Sequence, residues 1–506
     1  MKIKYLFGLA LAVTLLASCT EDVLDRINED ETSKTADKVA AKFQLTDAEV
    51  ATAYSTVNGS YAWYVSSYTE QLFGTGNNQL KNAELRNLNE IAASTTFNNE
   101  WNSTYSNLYN ISEMIKKCSE GGINSDQKDI LGMAQILYAL NWGILTDLHG
   151  DIPFSECFTG VAAKVDKQED IYKAIFKLLD DAQVNLAAAQ GNAGKQDLVY
   201  EGKTEKWAAF GHAVKARYLL HSAGRDNSVL AEVVKEAQAA VDGNFEGFAV
   251  KAFNGVTADN SWAAYHWSRY YIASSKTVAD LMTTRNDPRL KIYIQDDATG
   301  VCAPGDQAKA ILTGSSKGTP FSYPAWLENG AAPLNIFSKA ELYFILAEAK
   351  ARLSQDATAE FQEAVKASMA WYNTIYDNVL AKDGKGNPTG LDNVTDADID
   401  AYIATLTTAS LEEILIEKYL AQAATEQIET YNDIRRVRYM DGADKYPVTL
   451  TNPKNTTASA NRWPLRLPYG ESDVVSNPNV KAAFGSGNDA GVYIFTENVW
   501  WAGGNR

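Results

Sequence analysis

Residues 127–149 read QKDILGMAQILYALNWGILTDLH, and their apolar positions follow the period of an α-helix. Ile130, Ala134, Leu137, Ile144 and Leu148 fall on one face of such a helix, so the stretch is predicted to be amphipathic and helical. A Gly-Asp-Ile-Pro sequence follows directly, and a glycine and a proline in these positions end a helix. These residues therefore predict a long helix that ends at the Gly-Asp-Ile-Pro sequence.

The same pattern recurs along the chain and predicts a mainly α fold. The next helix is predicted by a second apolar face, formed by Ile171, Ile175, Leu178, Ala182 and Leu186. Segments 204–224, 338–353 and 410–440 show the same helical periodicity. Helix starts are indicated where a hydroxyl residue precedes a glutamate by three positions, at Thr46, Ser338 and Ser410. Small residues at predicted helix crossings favour a tetratricopeptide-like array of antiparallel helical pairs, although no 34-residue period is visible. They are Ala134, Ala139, Ala347 and Ala349.

Two regions lack helical periodicity and are predicted to be irregular, loop-rich excursions from the helical frame. Residues 243–335 are rich in Gly, Asn, Asp and Pro interspersed with aromatics, and GNFEGFAVKAF at 243–253 is compatible with a short hairpin. NDPRLKIYI at 286–294 is predicted to form turns and loops. Residues 441–506 form the second irregular region. Because loops on a rigid scaffold can vary without unfolding it, ligand binding is expected there.

The N-terminus predicts export and lipidation. Residues 1–18 carry two lysines, an apolar run and small residues, the layout of a signal peptide that is too short to span a bilayer. Leu16-Ala17-Ser18-Cys19 has the pattern of a lipobox, so Cys19 is expected to be acylated. Residues 19–45 are predicted to be a lipidated acidic tether, and residues 46–506 a single domain with a helical frame at 46–242 and 336–440.

Composition narrows the class of ligand. The net charge of −17 argues against nucleic acid and against a bare anionic membrane, because both require a basic surface. A neutral or cationic ligand fits better. Cys118, Cys157 and Cys302 show no metal-ligand or disulfide spacing. No apolar run beyond the signal peptide approaches twenty residues, so only the lipid is expected to enter the membrane.

The densest candidate binding segment is residues 259–271, DNSWAAYHWSRYY. Sugars present apolar faces rimmed by hydroxyls, so a sugar site needs flat aromatic rings with polar groups at their edges. Trp262, Tyr265 and Trp267 are predicted to stack on a ligand. The predicted polar contacts are Asn260, His266 and Arg269. The alternative is that these rings fasten loops to the helical frame.

Other aromatic groups are weaker candidates. Phe321, Tyr323 and Trp326 form a second cluster, of which Tyr323 and Trp326 are included among the predicted ligand contacts. Core packing is favoured for Trp63, Tyr64 and Tyr68, although the adjacent Asn77, Asn78 and Gln79 could reach a ligand. Trp500 and Trp501 are interpreted as an anchor for the chain end.

Several charged motifs are interpreted as structural. Asp151 is expected to bond backbone amides after the helix, and Asp287-Pro288-Arg289 is expected to be a turn with a buried charge partner. Arg435 and Arg436 are expected to pair with carboxylates of the frame.

Catalysis is not expected. The four histidines form no HExxH pattern, and GxSxG and phosphate-loop motifs are absent from the sequence. Neither a cofactor nor a metal site is predicted. A glycoside hydrolase with paired carboxylates is the least favoured class, and a helical-repeat scaffold that binds only proteins is the stronger rival.

The chain resembles SusD/RagB-type nutrient-binding outer-membrane lipoproteins, in the SusD-like branch with a DPRL loop. Six stretches carry the resemblance in the family's order: residues 133–156, 206–223, 286–290, 339–353, 417–436 and 462–480. The resemblance implies capture of an oligosaccharide, or less often a peptide, and delivery to a SusC-like TonB-dependent transporter. It also implies lipid anchoring in the outer membrane, and Thr20-Glu21-Asp22 resembles signals for exposure at the cell surface.

Overall fold

The computed structural model describes residues 38–76, 79–160, 162–294, 300–310, 321–376, 393–455 and 462–505, and leaves out the side chain of Arg269. The predicted signal peptide, Cys19, Asn77 and Asn78 lie outside these residues. The helix α1 begins at Lys42, inside the segment that the sequence assigned to the tether.

Helices dominate the described residues. In chain order they are α1 Lys42–Ala51, α2 Ser60–Tyr68, α3 Gln79–Glu84, α4 Leu88–Ile91, α5 Asn98–Cys118, α6 Lys128–His149, α7 Gln168–Ala187, α8 Thr204–Ser222, α9 Leu230–Asp242, α10 Ser261–Arg269, α11 Lys276–Arg285, α12 Leu290–Tyr293, α13 Gln307–Ala310, α14 Lys339–Arg352, α15 Thr358–Tyr376, α16 Asp396–Ile403, α17 Leu411–Gln422, α18 Gln427–Met440, α19 Glu471–Ser476 and α20 Pro478–Phe484. A π-helical turn, Thr52–Val57, joins α1 to the loop before α2.

Strands are short and pair across long stretches of sequence. They are β1 Leu72–Gly74, β2 Ile152–Pro153, β3 Val165–Asp166, β4 Phe248–Val250, β5 Ile272–Ser274 and β6 Leu334–Phe337. Each forms one antiparallel pair, β1 with β5, β2 with β3 and β4 with β6. The predicted hairpin at 243–253 is therefore wrong, because β4 pairs with a strand more than eighty residues later.

The helices pack as consecutive pairs, which confirms the tetratricopeptide-like frame. α5 packs on α6, α6 on α7, α8 on α9, and α14 on α15. Ala134, Ala139, Ala347 and Ala349 are completely buried, as their small size predicts. Gly143 allows α6 and α8 to approach closely, because a Cβ there would lie 2.1 Å from the Tyr218 ring.

Two of the three predicted helix starts are confirmed. Ser338 accepts a hydrogen bond from the amide of Glu341, and Ser410 accepts one from the amide of Glu413. Thr46 does not begin a helix, because α1 already runs through it and its hydroxyl donates to the carbonyl of Gln196. Side-chain caps therefore marked the starts of α14 and α17 but not that of α1.

The irregular region at 243–335 contains more helix than its composition predicts. α10 and α11 occupy residues 261–285, and the segment read as turns and loops contains α12. Asn260 and Ser275 accept hydrogen bonds from the first turns of α10 and α11, which shows why polar residues stand before each helix. The loop-rich excursion therefore includes the helices α10, α11 and α12.

Most structural roles assigned to charged residues are confirmed. Asp151 accepts a hydrogen bond of 2.9 Å from the amide of Gln168 at the start of α7. Arg289 is fully buried and pairs with Asp287 and Glu417. Both contacts satisfy charges that burial would otherwise destabilise.

The two arginines of α18 differ. Arg436 pairs with Glu348 at 2.6 Å, as predicted. Arg435 instead donates to the carbonyls of Asp147 and Leu465 and lies 4.0 Å over the Tyr431 ring. The prediction that Arg435 pairs with a carboxylate is therefore wrong, because its guanidinium donates to backbone oxygens and lies over an aromatic ring.

No helix within the described ranges has the length and apolar character needed to cross a membrane. The chain end is fastened by Trp501, which is fully buried and donates to Asp147 at 2.7 Å. The interpretation of this tryptophan as an anchor is confirmed.

Candidate ligand-binding site

Helix α10 positions the candidate site and is fixed at its N-terminus by Asn260. The Asn260 side chain accepts from the amide of Ala263 at 3.0 Å and donates to the carbonyl of Asn329 at 2.7 Å. Its backbone amide also donates to the carbonyl of Gly330. These bonds join the start of α10 to the segment 325–330, so the two aromatic clusters predicted from sequence become neighbours.

The C-terminal end of α10 is fixed by backbone bonds to the loop after β1. Tyr270 adopts a left-handed conformation with φ of 55°, and its amide donates to the carbonyl of His266. Thr75 donates its amide to the carbonyl of Tyr271 at 2.7 Å. Gly76 is required here, because a Cβ would lie 2.1 Å from the Tyr271 ring.

Two of the predicted stacking rings are buried beneath α10. Trp262 is 3% exposed, donates to the side-chain oxygen of Asn58 at 3.2 Å and lies edge-on to Trp326. Tyr265 is 8% exposed and stacks on Trp63 with the ring centroids 4.0 Å apart. Both rings therefore support the surface from inside.

Two half-buried rings, Trp267 and Tyr323, are joined by a single carboxylate, Glu328. The Trp267 indole donates to one Glu328 oxygen at 2.8 Å, and the Tyr323 hydroxyl donates to the other at 2.8 Å. His266 lies 3.5 Å from the same carboxylate. We call Trp267, Tyr323 and Glu328 the aromatic surface.

The charge of Glu328 is stabilised by its donors. Burial by itself would raise the pKa of this carboxyl group, but the nearby His266 and the hydrogen bonds from Trp267 and Tyr323 outweigh it and lower the pKa to about 2. The carboxylate is therefore ionised at neutral pH. It holds two aromatic rings in fixed orientations, which reduces the entropy lost when a ligand binds them.

Several predicted ligand contacts are thus corrected. Asn260, Trp262, Tyr265, His266 and Trp326 are all buried, at 8% exposure or less, because they fasten α10 and the segment 325–330 to the frame. Trp267 and Tyr323 remain candidates, and the side chain of Arg269 lies outside the described part. Tyr64 and Tyr68 pack in the core, as favoured from sequence.

Glu328 and Trp63 were missed by the sequence analysis as parts of the site. Glu328 lies 61 residues from Trp267, and the local sequence signal in its segment consists of aromatic residues alone. Trp63 was assigned to core packing, but it is only half-buried and stacks on Tyr265. Its position in α2 next to a Gly/Asn loop was the available signal.

The site has the chemistry of a binding surface. Flat rings and hydrogen-bonding edges suit the apolar faces and hydroxyl groups of sugars. Within the ranges that the structure describes, no cluster of three or more His, Cys, Asp or Glu side chains could hold a metal ion.

Comparison with known proteins agrees with the fold and with the chemistry of the site. A family model described as SusD-like, starch-binding and associating with the outer membrane, matches residues 26–470. None of the curated proteins compared with the chain matches it.

Solved structures match over nearly the whole chain. A SusD/RagB family protein from Bacteroides thetaiotaomicron is 31% identical with a TM-score of 0.82, covering 93% of this chain and 100% of that one. A chitin-binding protein is 21% identical with a TM-score of 0.71, covering 91% and 99%. A SusD homologue from Bacteroides fragilis is 18% identical with a TM-score of 0.65, covering 92% and 100%. The last two likenesses show the fold alone.

Proposed function

The chain belongs to the SusD-like family of starch-binding proteins associated with the outer membrane, and from that premise we propose that it captures oligosaccharides at the cell surface. It passes them unaltered to a SusC-like TonB-dependent transporter. Peptide capture is the alternative within the same family.

One observation carries the choice of ligand, namely that Glu328 fixes the half-buried Trp267 and Tyr323 rings at one place. A rigid pair of rings offers an apolar face without a large entropic cost, and the carboxylate edge accepts hydrogen bonds from hydroxyl groups. Because Glu328 is ionised and the chain carries a net charge of −17, the proposed ligand is a neutral glycan.

The proposal predicts that Trp267→Ala weakens glycan binding at least about tenfold, which corresponds to roughly 1.4 kcal/mol of lost ring contact. Retention of the mature chain in gels containing amylopectin, xyloglucan or glucomannan measures this effect. Trp267→Phe keeps a ring and should retain most of the affinity. Phe43→Ala is the matched control, because Phe43 is 55% exposed on α1 and away from the aromatic surface.

The alternatives give different results. Binding of peptides with no retention by any glycan would support the peptide-binding homologue. Recovery of the transporter without either ligand would support a protein-only scaffold. Release of sugar from these polysaccharides by the purified protein would show an enzyme and contradict the proposal.

The lipid anchor is proposed from the lipobox at Cys19. We expect the Cys19→Ala chain to leave the outer-membrane fraction, because an uncleaved or unacylated chain lacks the lipid that holds it there. Fractionation and protease treatment of intact cells measure anchoring and surface exposure. A variant that stays in the outer-membrane fraction to the same extent as wild type would contradict lipid anchoring.

A further inference from the structure

A groove that is separate from the aromatic surface runs along helix α5. It has a volume of about 670 Å³, which falls within the range of ligand-binding clefts. Its walls are α5, the loop between β2 and β3, and the start of α19. No residue predicted from sequence to contact a ligand lines it.

Three aromatic rings of α5 follow the groove. Trp101, Tyr105 and Tyr109 are spaced four residues apart, so they lie on one face of the helix. Trp101 is completely buried, Tyr105 is half-buried, and Tyr109 is 50% exposed. The stripe therefore runs from the core out to the solvent at the groove.

Phe158 completes the aromatic wall from the opposite loop. It is 41% exposed, and its ring lies edge-on to Tyr109 with centroids 5.4 Å apart. Its backbone has φ of 66°, a left-handed conformation that is unfavourable for a bulky side chain. Core packing does not explain this conformation, because the ring is 41% exposed and lies against Tyr109, which is itself half exposed.

The loop that carries Phe158 is held from both sides. Asp166 accepts from the amides of Phe154 and Ser155, and the carboxylate of Glu156 accepts from the amide of Lys164. Asn477 donates to the carbonyl of Ala163 at 2.8 Å, which ties the loop to α20. The exposed ring is therefore presented by an ordered support.

The polar lining determines the class of ligand. Asn102, Ser106, Glu156, Asp473 and Asn477 surround the rings, and Asp473 also accepts from the Trp101 indole at 2.8 Å. Among the described residues that line the groove there is no lysine, arginine or histidine. Carboxylates, amides and hydroxyls beside ring faces suit neutral sugar units, whereas uronic acids, sulfates and phosphates would meet repulsion.

The groove is separate from the aromatic surface, because α2 lies between them. On one side of α2, Trp63 stacks on Tyr265 of the aromatic surface's support. On the other side of α2, the ring centroids of Tyr61 and His149 are 5.4 Å apart, and those of His149 and Trp101 are 4.9 Å apart.

We propose that the groove between Tyr109 and Phe158 is a second carbohydrate-binding site that takes neutral glycan units. The proposal shares the ligand class of the proposed function but not its residues. Two sites on one chain raise the affinity for any polymer that spans both, through effective concentration and with no change in either site.

The test uses the full mature chain with Phe158→Gly and Tyr109→Ala. Glycine adopts the left-handed conformation without strain, and alanine suits an exposed helix position, so both variants should melt at the wild-type temperature. Calorimetry with maltoheptaose and chitohexaose is expected to give two sites for at least one of them in wild type and one site in each variant. Retention by amylopectin or glucomannan should fall about tenfold or more in either variant, and Phe43→Ala should change nothing.

The variants at the two sites keep this proposal distinguishable from the previous one. If Trp267→Ala leaves one site that a further Phe158→Gly removes, both proposals are supported. If Trp267→Ala removes all binding, the groove proposal is overturned. If Trp267→Ala binds like wild type and Phe158→Gly removes all binding, the groove proposal stands and the aromatic surface fails.

Three other results would overturn the groove proposal. The first is that both groove variants bind all these neutral probes as tightly as wild type does. The second is that wild type binds none of the probes. The third is loss of the transporter from pull-downs of Phe158→Gly with glycan binding intact, which would identify the groove as a protein interface.

Discussion

In the helical frame, Glu417 is completely buried and receives two arginines, Arg285 and Arg289, together with the hydroxyl of Tyr402. At the aromatic surface, Glu328 is part-exposed and receives an indole, a phenol and an imidazole contact. Both carboxylates join elements that are far apart in sequence. They differ in their donors, because the frame uses full charges and the surface uses the polar edges of aromatic rings.

The different donors give the two carboxylates different roles. A buried arginine that is matched by carboxylates fixes packing, and removing one partner leaves the other charge without compensation. A carboxylate that binds ring edges leaves ring faces available, so it orients a binding surface. The same residue type therefore stabilises the fold in one place and preorganises a site in the other.

The largest expected effect follows from breaking the frame's cluster with Arg289→Ala. Asp287 and Glu417 would remain buried, and Glu417 would keep only Arg285 and Tyr402, so the free energy of unfolding should fall by about 3 to 5 kcal/mol. Urea unfolding measures the change. Lys177→Ala is the control, because Lys177 and Asp181 form an exposed pair and should contribute less than about 1 kcal/mol.

A loss for Arg289→Ala as small as that of Lys177→Ala would contradict this account. It would mean that the buried carboxylates become protonated or hydrated at little cost. The frame and the aromatic surface would then not differ in the way that their donors indicate.

The frame could be predicted from the sequence because its signals are local. Helical periodicity located α6 within one residue of its observed start, and Ser338 and Ser410 marked two helix starts. Thr46 failed because α1 starts at Lys42 without a side-chain cap. A capping pattern therefore indicates a start only where the preceding residues cannot continue the helix.

The aromatic surface could be predicted only in part, because the segment 259–271 lies in the region whose composition predicts loops. As a helix, its period of 3.6 places Trp262, Tyr265 and His266 on one face, and the structure shows that this face is buried. Trp267 falls on another face and stays half-buried at the surface. Periodicity applied to this segment would have separated supporting rings from candidate binding rings.

Long-range contacts set the remaining limit. Glu328 reaches Trp267 across 61 residues, and β1 reaches β5 across about two hundred. Neither pairing leaves a local pattern. The stripe of Trp101, Tyr105 and Tyr109 does have a local sequence pattern, because its rings are spaced four residues apart. Its partner Phe158 is identified only by the three-dimensional contact.

A smaller effect is expected when the aromatic surface loses its charge through Glu328→Gln. A glutamine has the same shape, but its NH₂ group cannot accept a hydrogen bond, so either one ring loses its acceptor or the Tyr323 hydroxyl turns to accept from that NH₂ group. The free energy of unfolding at pH 7 should fall by only about 1 kcal/mol, since Glu328 is partly exposed. Glycan affinity should fall about threefold to tenfold, as the rings become less ordered.

The pH dependence separates this effect from a simple loss of shape. The pKa of Glu328 in the folded protein, about 2, lies below the ordinary 4.5 of an unfolded chain. Its contribution to stability is therefore complete above about pH 4.5 and is lost as the pH falls through about 2. Unfolding free energies of wild type and Glu328→Gln should converge over that window, whereas the exposed Glu412→Gln control should follow wild type throughout. If the wild-type and Glu328→Gln values stayed a constant distance apart from pH 7 to pH 2, the charge of Glu328 would contribute nothing. The rings would then be oriented by packing alone.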